Sequence, residues 1–319
     1  MRSRKIRTRG SIVPARNALA AIAVAATLGA TAAAAPRPST PARYGDAGTR
    51  AALDDVIAVE RAFSQDSLKL GIKRSFLKYV ADDGVIFRPG PVAAVATLNM
   101  DSDDDEGVTL EWWPVMAAIA RSGDLALSVG PWVMRVPSRG SSPQKEVYGY
   151  YATIWRKQVD GRWKFVIDGA GAKIEGRAMR VPGSAVEKLA TSSWGHGAGP
   201  ARALAEARAA EEHMAALARQ DARGAISKYL ASRAWLMGSS VEPNGDAEAA
   251  KAELSRRPAQ LALHYVGGEA SAAGDLVFTY GRAESTDPEV PLTDASYLNV
   301  WQRQPSGWRL IFEGLKSRR

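Results

Sequence analysis

Two glutamates stand where apolar residues are expected. Glu60 falls inside the helical stripe Leu53, Val56, Ile57 and Phe63, and Glu211 inside Leu204, Ala207 and Met214. A carboxylate carried on a buried helix face needs donors or a proton. It either accepts hydrogen bonds from a strand or an indole and pins helix to sheet, or it is a pocket acid whose pKa burial raises. Asp168 and Glu313 form a second matched pair, each closing the last strand of its segment just before a glycine. Alternation puts them on one sheet face with Val166 and Ile311, away from Trp163 and Trp308, where they serve a site or cap a turn. His264 stands where the first half has Trp113. Within reach of Glu211 or Glu313 it would make an acid–base pair for proton transfer. Arg88, in "FRPGP", faces Gly238 in the second half and is either a surface arginine or a guanidinium directed at an anion. Glu60, Arg88, Trp113 and Asp168 are therefore the ligand-pocket candidates, and Glu211, His264 and Glu313 are the candidates if the protein is an enzyme.

Other chemistries lack their residues. There is no cysteine, which excludes thiolate nucleophiles, thiolate metal sites and disulfide staples. With His196, His213 and His264 as the only histidines, no multi-histidine metal centre is expected, and HExxH, GxSxG, Walker and GxGxxG patterns are absent. The acidic run "DSDDDEG" (101–107) alternates aspartates, but an EF-hand loop needs Gly and Glu where the chain has Glu106 and Trp112. It reads as a solvated loop. No cofactor and no metal are expected.

The elements that would position these side chains are written twice. "YATIWRKQVDGRWKFVIDG" (151–169) is a hairpin turning at Asp160-Gly161, and "YLNVWQRQPSGWRLIFEG" (297–314) repeats it. Upstream, "SGDLALSVG" (122–130) answers "AGDLVFTYG" (273–281) at an offset of 151, which also aligns Glu60 with Glu211. A period that long is a duplicated domain, since solenoid units run to about 20–50 residues. Each half reads as helices followed by long antiparallel strands, an α+β layout. The expected domains are 50–175 and 200–319, joined by a linker over 176–199 rich in Gly, Ser and Pro.

The succession "VIAVERAF", "FLKYVADDGVIFRPGPV", "LEWWPV", "SGDLALSVG" and "YATIWRKQVDGRWKFVIDG" resembles the nuclear-transport-factor-2-like superfamily, in particular an exported bacterial branch of unassigned function. The resemblance spans nearly all of the first half and, more weakly, the second. It implies two tandem cone-shaped domains, each with N-terminal helices on a curved sheet. It does not imply one activity, because this fold hosts isomerases, dehydratases, cyclases, hydrolases and assembly domains. The catalytic aspartates and histidines of the enzymatic relatives have no residue-by-residue match here.

Alternation along the fourth long strand places Tyr151 and Trp155 on one face, and Tyr297 and Trp301 on the matching face of the second half. The aliphatic face suits the helices, so the aromatic one is expected outside, pairing the domains as an internal pseudo-dimer. Before all this, Arg2, Arg4, Lys5, Arg7, Arg9 and Arg16 precede the apolar run "ALAAIAVAATLGATAAAA", the order of a signal peptide over 1–35. Its removal takes the formal charge from +8 to +2, so no basic stripe for nucleic acid and no membrane span remain. The expectation is an exported protein, periplasmic or extracellular, that binds a small hydrophobic ligand or acts as a non-catalytic module. The rival is a cofactor-free acid–base enzyme working in the second cone.

Overall fold

The computed structural model describes residues 46–102, 107–138, 144–169, 173–174, 185–192, 199–238, 242–285, 287, 289–290 and 292–317. The expected signal peptide and most of the expected linker lie outside them, as do His196 and residues 103–106 of the acidic run.

Helix α1 (Ala47–Leu70) starts at Asp46, whose carboxylate accepts the Thr49 N–H at 2.9 Å, and stops at Gly71, where φ is 85°. Then come α2 (Ile72–Tyr79), β1 (Val80–Phe87), β2 (Pro91–Ala93) and α3 (Ala94–Met100). Seven strands follow: β3 (Thr109–Trp112), β4 (Met116–Ile119), β5 (Leu125–Val136), β6 (Lys145–Lys157), β7 (Trp163–Asp168), β8 (Lys173–Ile174) and β9 (Glu187–Lys188). The second half opens on α4 (Gly199–Tyr229), kinked at Asp221, whose carboxylate accepts the Gly224 N–H at 2.9 Å and so caps the helix that resumes there. It continues with β10 (Leu230–Met237), α5 (Ala247–Ser255), β11 (Ala262–Ala270), β12 (Leu276–Ser285), β13 (Leu292–Gln304) and β14 (Gly307–Lys316).

The architecture is α+β with two sheets. The first has the order β2-β1-β7-β6-β5-β4-β9, and the second β10-β14-β13-β12-β11. In both, the strand after the helices joins the last hairpin strand in parallel, so each sheet is mixed rather than purely antiparallel.

Three apolar clusters organise the packing. One lies between α1 and the first sheet and holds Val56, Phe63, Trp155 and Phe165; its counterpart under α4 holds Ala207, Met214, Tyr297 and Trp301. The third joins the two sheets, with Met116, Leu127 and Ile154 of one against Phe278, Leu298 and Phe312 of the other.

The expected faces are thereby reversed. Tyr151 and Trp155 point at α1, Tyr297 and Trp301 at α4, and it is Ile154, Leu298 and Val300 that meet between the sheets. The reason is polar: a buried indole or phenol gains from an acceptor, and the helices supply one to Trp155 in Glu60 and to Tyr297 and Trp301 in Glu211. The faces that meet between the sheets mix aliphatic and aromatic side chains, Ile154, Leu298 and Val300 packing with Tyr150 and Phe278.

A second correction concerns the end of each hairpin. Ile154 pairs with Ile167 but Trp155 pairs with Phe165, so Val166 is an extra residue; Ile311 is its equivalent in the second sheet. The bulge shifts the phase of the strand by one. Asp168 thus lies opposite Thr153, and Glu313 opposite Asn299, on the helix-facing side.

Candidate functional site

Each cone is closed by its helix glutamate. Glu60 is fully buried, with Oε1 accepting the Trp112 indole N–H at 2.6 Å and Oε2 the Trp155 N–H at 2.8 Å and the Ser128 hydroxyl. Burial pushes its pKa up to about 7, against the pull of the Ser128, Trp155 and Trp112 bonds. Ser64, one turn along the same helix, accepts the backbone N–H of Trp112 at 2.9 Å and fastens β3 to α1. Glu211 repeats the arrangement with other donors. Its Oε1 accepts the Tyr297 hydroxyl at 2.7 Å, while Oε2 takes Asn299 at 3.0 Å, Trp301 at 3.3 Å and the Thr279 hydroxyl. Burial, then the neighbouring Glu211, holds the Tyr297 phenol well above its ordinary range.

The mouths of the cones differ. In the first, half-buried Asp168 accepts the Thr153 hydroxyl at 2.7 Å, and burial raises its pKa to about 6 despite that bond and the nearby charges of Lys316 and Arg88. In the second, Glu313 is 3 % exposed and binds the Arg257 guanidinium at 2.6 and 3.3 Å. Arg257 also contacts Glu253 at 2.7 Å and donates to the Met237 carbonyl at 3.0 Å. Burial outweighs the guanidinium and lifts the Glu313 pKa to about 7.

The remaining sequence candidates fall elsewhere. His264 is half exposed on β11, 3.9 Å from Glu284, so the pair with Glu211 or Glu313 is not formed. Its neighbour Tyr265 takes the helix side instead, with Arg208 stacked over its ring. Trp113 sits in the cluster between the sheets; the indole that reaches Glu60 is Trp112. Arg88 is exposed and pairs with Asp101 at 2.6 Å.

Sequence reasoning missed Ser128 and Thr279, although a hydroxyl recurs at both places in the matched "LALSVG" and "LVFTYG" segments. It also missed Arg257, for which a loop "SRRP" after a helix gives no signal. Clefts of about 820, 690 and 450 Å³ lie outside the cones, and none is lined by Glu60, Asp168, Glu211 or Glu313. The largest runs between α1, residues 186–190 and β10. Among the described residues there is no cluster of three or more metal-binding side chains, and no helix is long and apolar enough to cross a membrane.

No protein-family model matches the chain, and no curated protein matches it significantly. Solved structures do match. The association domain of C. elegans CaMKII is 14% identical, with a TM-score of 0.32 over 38% of this chain and 95% of its own. A nuclear transport factor 2-like superfamily protein from Salmonella enterica serovar Typhimurium is 16% identical, with a TM-score of 0.31 over 43% of this chain and 98% of its own. A ketosteroid isomerase-like protein from Erwinia carotovora is 16% identical, with a TM-score of 0.31 over 38% and 96%. The chain is similar to nuclear-transport-factor-2-like proteins. Each match covers about two fifths of it.

Proposed function

We propose that the protein is an exported tandem of two cone-shaped domains, packed as an internal pseudo-dimer, that works as a non-catalytic module binding a small ligand or a partner rather than as an enzyme. The observation that carries this reading is the saturation of Glu60 and Glu211. Both oxygens of each accept donors from their own sheet, which suits a pin between helix and strands better than an acid held ready for a substrate. Of the two mouth carboxylates, Asp168 of the first cone keeps part of its surface open. In the second, Glu313 is shut under Arg257.

The enzymatic reading of the second cone loses its acid–base pair with His264 on the solvent side.

The test is extraction of ligand from protein purified out of its native compartment, with mass spectrometry of the extract and sequencing of the mature N-terminus. A bound apolar molecule and a terminus near residue 36 are expected. An intact Met1 in the cytosol would remove the export reading. A turnover abolished by Glu60→Gln at unchanged melting temperature would replace binding with catalysis.

A further inference from the structure

Two of the clefts outside the cones meet at one strand. The first, of about 820 Å³, runs between α1, residues 186–190 and β10, and the second, of about 690 Å³, between β10, the end of α4 and α5. Ala231 and Ser232 of β10 line both clefts, Arg233 only the first, and Leu230 and Ala234 only the second. This is the alternation of a strand, whose side chains go to opposite faces in turn. Among the described residues β10 is the outer strand of its sheet, and Ser232 and Arg233 are exposed on it. Its ladder with β14 is also interrupted here: Leu230 pairs with Leu310 and Trp235 with Phe312, so residues 231–234 take no ladder partner. Their N–H and C=O groups are strong hydrogen-bonding groups that the ladder does not use.

The outer wall of the first cleft is fastened to both sheets. Glu187 and Leu189 donate their N–H groups to the Val115 and Ala117 carbonyls at 2.8 and 2.9 Å, and Gln302 Nε2 donates to the Ala190 carbonyl at 2.8 Å. The charge around the two clefts is unequal. Among the described residues, five cations line them, Arg50, Lys188 and Arg233 in the first and Arg223 and Lys251 in the second, against three acids. Each acid is engaged: Asp54 with Lys188, Glu187 with Arg233 at 2.6 Å, and Asp246 with the Ala249 N–H at the start of α5. Lys251 is exposed, and Arg223 gives two N–H groups to the Arg257 carbonyl rather than to a carboxylate. The first half has the opposite sign: at an offset of 150, Asp82 and Asp83 stand where the second half has Ser232 and Arg233.

We infer that the twin cleft along β10 docks an extended acidic segment of a partner protein, laid beside the strand with alternate side chains in alternate clefts. The inference rests on the reading of the protein as a non-catalytic module and names the kind of partner it takes. Strand addition draws affinity from main-chain hydrogen bonds and specificity from pockets for alternate side chains, and both are present at this edge. An interrupted edge pairs poorly with strands at random, so recognition falls to the clefts and their charge. The excess of cations sets the sign of the partner, since a basic segment would meet like charge.

The experiment titrates full-length protein at pH 7.5 with three capped octapeptides, followed by calorimetry: glutamate alternating with valine, lysine alternating with valine, and the glutamate–valine peptide N-methylated throughout. The unmethylated glutamate peptide should bind at least tenfold more tightly than either of the others. Lys251→Glu should weaken it at least tenfold, and so should Ser232→Trp, which fills the place where the two clefts meet from an exposed position. Melting curves establish that both variants are folded. Equal binding of the N-methylated peptide overturns strand addition, and equal binding of the lysine peptide overturns the assigned sign of the partner. Unchanged affinity in both variants moves the peptide off this strand and overturns the site. Failure of all three peptides to bind overturns the docking but leaves the non-catalytic reading standing, because that reading falls to a measured turnover and not to this titration.

Discussion

Asp124 and Asp275 each reach across to the other's turn and make the same bond. Asp124 Oδ2 accepts the backbone N–H of Ala272 at 2.9 Å, and Asp275 Oδ2 accepts that of Arg121 at 3.1 Å. Acceptors and donors are both 151 residues apart, so the contact is reciprocal in the manner of a two-fold interface. It supports reading the chain as a fused dimer. Asp275 is 1 % exposed and also holds Ser271, so Asp275→Ala should cost about 1–3 kcal/mol, the range for a charged hydrogen-bond partner. Asp124→Ala, at a more open site, should cost less. Chemical denaturation monitored by tryptophan fluorescence measures both; equal and negligible losses would show that the turns do not hold the sheets together.

The pH dependence of stability follows from the raised acids. Glu60 moves from 4.5 to about 7, Glu313 from 4.5 to about 7 and Asp168 from 3.8 to about 6. Between those limits the folded protein keeps protons that the unfolded chain has released, so stability falls as pH rises from about 4 to 7 and then levels. Glu60 alone contributes on the order of 3 kcal/mol to that fall. Glu60→Gln should cost about 1–3 kcal/mol at pH 5, because the amide nitrogen cannot accept from an indole N–H. At pH 8 the loss should shrink, since glutamine carries no buried charge. Melting curves across this range decide it; a wild-type stability that climbs from pH 4 to 7 would contradict the assignment.

Gly130 and Gly281 are fixed by close approach. A Cβ on Gly130 would lie 1.9 Å from the Trp113 carbonyl oxygen, and one on Gly281 would lie 2.0 Å from that of His264. Both obstacles are backbone, so relief requires moving β5 from the 113–115 segment or β12 from β11. Gly130→Ala and Gly281→Ala should each destabilise by about 3 kcal/mol or more, at the upper end for single substitutions. Soluble expression with an unchanged melting temperature for either would refute the close approach.

Much of this architecture is written in the sequence at the level of periods. Alternation along β6 and β13 separates Trp155 from Ile154 and Trp301 from Val300 correctly, and the paired Glu60 and Glu211 mark the helix faces. Which face meets the helix is not a matter of period. It depends on the donors of Trp155 and Tyr297 finding carboxylates that lie 95 and 86 residues away. The bulges at Val166 and Ile311 are also hidden, because one extra residue inside an apolar run changes no local pattern yet turns Asp168 and Glu313 to the other side. Arg257 and Lys316 reach their partners Glu313 and Phe87 across 56 and 229 residues respectively, separations that no local spacing encodes.

The buried triad of Glu253, Arg257 and Glu313 gives the sharpest asymmetry between the halves. Removing its centre leaves two carboxylates in a place where all three residues are about 3 % exposed or less. Breaking a buried ion pair from one side costs about 3–5 kcal/mol, more than the pair itself contributes, because the stranded charge has no water to turn to. Arg257→Met should therefore lose that much at pH 8. At pH 5 the loss should be smaller, because Glu313, raised to about 7 even beside the guanidinium, already holds a proton there and leaves no stranded charge of its own. Glu313→Gln should be milder at both values, since Arg257 keeps Glu253 and the Met237 carbonyl. Denaturation curves of the two variants at the two pH values test the ranking. A milder loss for Arg257→Met than for Glu313→Gln at pH 8 would mean that the guanidinium is not what makes this carboxylate pair tolerable.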